Sequence, residues 1–96
     1  MITAVQAKSV SDAVNNDDPV DPALINESNP TGNLIIDELN HSAVWAAKSG
    51  EYSAYLAISK YNDDIVNMAL DNLVTLGYDV DTTRLGGYKE IAFSWE

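Results

Sequence analysis

Asp79-Val80-Asp81-Thr82-Thr83 carries the D-x-D-x-T spacing of aspartyl phosphotransferases. That chemistry needs the first aspartate at the end of a buried parallel strand, with a metal and a lysine brought by later motifs. Here a helical pattern ending at Gly77 precedes the run and a Gly86-Gly87 turn follows it. The run therefore reads as an alternating strand, with Asp79 and Asp81 in water and Tyr78 and Val80 packed. Asn62-Asp63-Asp64 could open a calcium loop. It lacks the glycine and the distant bidentate glutamate such a loop requires, and an apolar helix begins at once, so it reads as a helix cap. His41 lies near Asp37 and Glu38 with no nucleophile to orient. It is expected on the surface, paired with Asp37 one turn away. Gly86-Gly87 precedes a strand pattern rather than a helix, which makes it a turn and not a phosphate loop. The expectation is a non-enzyme with no catalytic, cofactor-binding or metal-binding residues.

Composition narrows the field further. The 96 residues contain no Cys, which removes disulfides, thiolate nucleophiles and Cys-ligated zinc. Five Lys plus Arg against fifteen Asp plus Glu leave a net charge of −10. Lys8, Lys48, Lys60, Arg84 and Lys89 are scattered, whereas phosphate contacts need clustered cations. Direct nucleic-acid binding and anionic membrane surfaces are disfavoured on the same ground. The start Met1-Ile2-Thr3-Ala4 shows no basic region followed by an apolar run, and residues 43–47 form the longest fully apolar stretch. A soluble protein made in a cytoplasm is expected.

The elements that must position any site follow from periodicity. Thr3 with Gln6 fits a capping box opening a short helix to Asn15, with Val10, Ala13 and Val14 on one thin face. Residues 17–32 are acidic and hold Pro19, Pro22 and Pro30, which reads as an extended arm. Asn33 or Thr31 caps a second helix running to about Ser49, striped by Ile35, Leu39, Ala43 and Ala46 and ended by Gly50. Tyr52, Ala54, Leu56 and Ile58 alternate as a half-buried strand. Asn62 caps a third helix with the apolar face Ile65, Val66, Ala69, Leu70, Leu73 and Leu76. Residues 78–83 and 88–95 then form a hairpin around the glycines, with Ile91, Phe93 and Trp95 facing inward.

These elements predict an α+β fold in which two helices cover a three-stranded antiparallel sheet of order 1-3-2. The most apolar strand, the last one, takes the centre. The division is a helical segment over 1–16, an arm over 17–32 and a compact αβαββ body over 33–96. Trp45 lies off the main stripe of its helix and Tyr55 points opposite to Leu56. Both are candidate interface anchors, as are Val10 and Val14, whose face is too narrow to hold a free helix but could fill a groove.

Three stretches resemble a pattern found in small structural and hypothetical proteins of tailed bacteriophages and prophages. They are Ile2-Thr3-Ala4 with Gln6-Ala7-Lys8, Ala46-Ala47 followed by Gly50-Glu51-Tyr52-Ser53, and Leu73 with Leu76-Gly77-Tyr78-Asp79-Val80, then Tyr88, Ile91, Ser94 and Trp95. The resemblance implies a virion component of capsid, neck or tail, present in multiple copies and bound to other phage structural proteins. It brings no catalytic residues. The N-terminal segment is then expected to reach a neighbouring subunit. The alternative from charge alone is a small acidic phage inhibitor, a nucleic-acid mimic that blocks a host protein.

Overall fold

The computed structural model describes residues 1–25 and 31–96. Residues 26–30 of the expected arm, Pro30 among them, lie outside the described residues. The order is α1 (Ala4–Asn15), α2 (Leu34–Lys48), β1 (Ser53–Ala57), α3 (Asp63–Thr75), β2 (Asp79–Leu85) and β3 (Tyr88–Ser94). The sheet is antiparallel throughout with order β1-β3-β2, so the last strand is central as its apolar inward set requires. α2 and α3 pack on one face of the sheet and α1 packs against α2, while the other face is not covered by any described element.

Local chemistry accounts for the boundaries. Thr3 and Gln6 close a reciprocal capping box on α1. Asn33 and Asn62 accept from the backbone N–H of Ile36 and Ile65 to cap α2 and α3. Gly50 adopts φ 79° and Gly77 φ 94°, the left-handed geometry that follows a helix end. The β2–β3 hairpin closes at Leu85↔Tyr88, two residues later on β2 than the sequence pattern suggested. Gly86 and Gly87 both have positive φ, which suits a two-residue turn of the primed type. Ile35, Leu39, Ala43, Ala47, Ala69, Leu73, Ile91 and Phe93 make the centre of the core.

The N-terminal segment corrects two expectations. Ala4, Ala7 and Val10 belong to the core, and Val10 is only 1% exposed. Ser11, fully buried, donates from Oγ to the Glu51 carbonyl at 2.6 Å and accepts from Trp95 Nε1 at 2.9 Å. Tyr78 donates its hydroxyl to the Ile2 carbonyl at 2.7 Å, and Ala4 N–H bonds the Leu76 carbonyl at 3.0 Å. Asn15 Nδ2 donates to the Gly50 carbonyl at 2.9 Å, and Tyr52 donates to Asp12. Residues 1–16 are thus part of the body, packed on α2 and bonded to the ends of the strands, and not a detached anchor. The thin apolar face suffices because its small residues let α1 sit close to α2, and buried polar bonds complete the seam.

The arm is corrected with it. Ile2 N–H bonds Asn40 on α2, while Asn15 meets Gly50 just beyond the end of α2. The two helices therefore run the same way, so the connection between them has to span the length of α2, about 22 Å for a 15-residue helix. Over residues 17–25 that connection is folded rather than extended. Asp17 takes φ 55°, Asp21 turns the chain by accepting from Ala23 N–H at 3.0 Å, and Val20, Leu24 and Ile25 pack against the core.

Candidate functional site

Trp45 is 59% and Tyr55 is 68% exposed, large for aromatic side chains on a body this small. They flank a groove of about 370 Å³ between α2 and β1, lined by Ser42, Ala46 and Ser49 on the helix side, Ser53 and Ala54 on the strand side, and Glu51 at the junction of the two. Two neighbours on α2 hold the Trp45 ring. His41 lies one turn before it with ring centroids 5.9 Å apart, and Lys48 follows with Nζ 5.8 Å from the ring centroid. Both contacts favour this placement of the indole, and each is weak at so exposed a site.

Tyr55 sits on the uncovered sheet face. Cross-strand pairs share a face, so Tyr55, Ala92 and Asp81 form one row, and Ser53, Ser94 and Asp79 form the next. Ala57, Glu90 and Thr83 form a third. Leu85 and Tyr88 close the face at the hairpin, Ala92 and Ser94 are its small central residues, and Asp79, Asp81 and Glu90 are its charges. Lys89 and Arg84 are paired to each other on the opposite face. There Lys89 reaches Asp63 at 3.0 Å and holds that carboxyl below its usual range, with Arg84 adding to the effect. The outer face therefore carries carboxylates and no cation among the described residues. Tyr88 donates to Glu90 at 2.6 Å, and that bond raises the phenol above its usual value.

The free edges of the sheet differ. Trp95 N–H bonds the Tyr52 carbonyl, and Ile58 N–H bonds the Lys89 carbonyl. Even-numbered residues of β1 thus face β3, and the N–H and C=O groups of Ser53, Tyr55 and Ala57 point outward from the edge. On β2 the outward amides belong to Val80, Thr82 and Arg84. There the Asp81 carboxylate accepts from the Thr82 N–H at 2.9 Å, and charges at 79, 81 and 84 guard the strand. β1, Ser-Ala-Tyr-Leu-Ala, has no charge and, among the described residues, no such blocking bond.

Of the four interface residues singled out from sequence, the structure brings Trp45 and Tyr55 together on one groove. It does not bring Val10 or Val14 to them: Val10 is buried in the core and Val14 is partly buried against it. A docking role for Val10 is therefore corrected, since its side chain is already covered by this chain. Asp79 and Asp81 are exposed on an antiparallel edge strand, not aligned at the end of a parallel one. Among the described residues no group of three His, Cys, Asp or Glu is arranged to hold a metal. Sequence reasoning missed the outward amides of β1. Its only sequence signal is the uncharged run from Ser53 to Ala57 beside two other strands that carry charges.

Comparison of the chain with family models, with curated proteins and with solved structures returns no match. No helix among the described residues is long and apolar enough to cross a membrane.

Proposed function

We propose that the protein acts without catalysis, by binding another protein through the Trp45–Tyr55 groove. The observation that carries this reading is the pair of exposed aromatics flanking one groove beside an uncharged strand edge. Exposed tryptophan and tyrosine on a rigid helix and strand supply large contact area at small ordering cost. The resemblance to small phage structural proteins supports a virion accessory component as the setting, with other structural proteins of the particle as partners. In that setting the groove, and not the α1 face, is the docking element.

The test is incorporation. Trp45→Ser with Tyr55→Ser leaves the melting temperature close to that of the parent, because both side chains are mostly exposed, and abolishes recovery of the protein in purified particles. Mass spectrometry of those particles reads the result. Failure to find the parent protein in them removes the virion setting. Asp79→Asn with Asp81→Asn is the contrasting variant: loss of function there, with the aromatic variant intact, would favour the acidic inhibitor instead.

A further inference from the structure

We propose that the partner enters as a β-strand. An extended segment of another protein adds to the free edge of β1, with basic residues toward the sheet's outer face and apolar residues toward the Trp45 groove. The inference rests on the binding role proposed above and specifies its chemistry.

Three observations converge on it. Ser53, Tyr55 and Ala57 each present an N–H and a C=O outward, the ladder that an incoming strand requires. Exposed edges are normally blunted, and β2 is blunted by Asp81 and by its charges, whereas β1 is not. The groove under the edge lies where alternate side chains of an added strand would descend, against Trp45.

Charge selects the occupant. Side chains of the added strand that rise on the outer face meet the field of Asp79, Asp81 and Glu90, which no cation on that face offsets among the described residues. Basic residues are favoured there and acidic ones rejected. A second copy of this chain is disfavoured for the same reason, since each copy carries −10. A five-residue edge also offers much less contact than the roughly 1,200 Å² that a stable dimer interface buries.

The experiment uses the full chain and a display library of random peptides about twelve residues long, about the span needed to overreach the edge. The expected outcome is enrichment of peptides with net positive charge and alternating apolar positions. Adding an enriched peptide slows hydrogen exchange at the amides of Ser53, Tyr55 and Ala57 in the parent protein. Ala57→Pro, which removes one outward N–H while leaving Trp45 and Tyr55 in place, weakens binding about tenfold. The exchange measurement stands even where the proline variant unfolds. No enrichment, enrichment of acidic peptides, or binding without protection of those amides overturns strand addition. So does a dimer in sedimentation that Ala57→Pro dissociates, which makes a second copy the occupant. Peptides that bind without protecting β1, yet are lost in Trp45→Ser with Tyr55→Ser, leave the groove reading standing. Peptides indifferent to both variants remove that reading as well.

Discussion

Trp95 donates its indole N–H to the hydroxyl of Ser11 at 2.9 Å, joining the last strand's end to the first helix across 84 positions of sequence. The same hydroxyl bonds the Glu51 carbonyl, so one buried oxygen ties together α1, the entry to β1 and the exit from β3. Ser11→Ala leaves a buried indole N–H and a carbonyl without partners. The expected cost is about 1–3 kcal/mol in chemical denaturation. An unchanged denaturation midpoint would show that water takes over both groups.

Removing residues 1–16 should abolish the cooperative unfolding transition rather than trim a tail. The deletion uncovers the α2 stripe and strips Ala4, Ala7 and Val10 from the core. It also orphans the Trp95 and Tyr78 donors. Domain stability is about 5–15 kcal/mol in total, too little to absorb those losses together. Circular dichroism through a thermal ramp checks it, and a sharp transition in the truncated chain would contradict the integral role of α1.

Phe93 is 2% exposed, with the Tyr78 ring edge-on at 5.4 Å and the Trp95 ring tilted at 5.9 Å. Phe93→Ala should cost about 3–5 kcal/mol, because the central strand cannot collapse into the space left. Phe93→Leu should cost clearly less. Equal losses in the two variants, measured by urea titration, would mean that the cavity is not what matters.

Alkaline stability should depend on Tyr78. Burial pushes its phenol well above the usual value of 10.0. The folded state then keeps the proton where the unfolded chain releases it, so stability is intact below pH 10 and falls as pH rises beyond it. Tyr78→Phe loses the bond to the Ile2 carbonyl and is less stable at neutral pH, yet its decline above pH 10 should be shallower. Parallel alkaline limbs in the two proteins would assign the loss to other groups.

At the other end of the scale, the Asp37 carboxyl accepts from the Thr31 N–H and hydroxyl at 2.8 Å each, and these bonds hold it below its usual range. A lowered value in the folded state means stability present above pH 3.8 and lost on acidification. Asp37→Asn should flatten part of the acid limb of a stability–pH profile. An acid limb that matches the parent's would show no net contribution from this loop contact.

Much of this arrangement is legible in the residues because it is local. Asn33, Asn62, Gly50 and Gly77 mark helix ends by chemistry that operates within a turn or two. The apolar set Ile91, Phe93 and Trp95 puts β3 in the centre, and from that the strand order follows. The docking of α1 is not legible in the same way. Its face is made of Ala, Val and a serine, and its worth depends on Glu51 and Trp95, which no nearby sequence signal links to it. Trp45 and Tyr55 stand out individually as residues off their apolar stripes. That they share a groove follows only once β1 is laid beside α2.

The placement of β3 between the other two strands bears on how the chain emerges from a ribosome. β1 and β2 do not pair with each other, only with β3. A nascent chain halted anywhere before Tyr88 therefore lacks the strand with which both others pair in the native sheet, however many helices it has already formed. Such fragments expose the apolar sides of α2 and α3 and are natural substrates for proteases and chaperones. The topology thus makes every native strand pairing wait for β3.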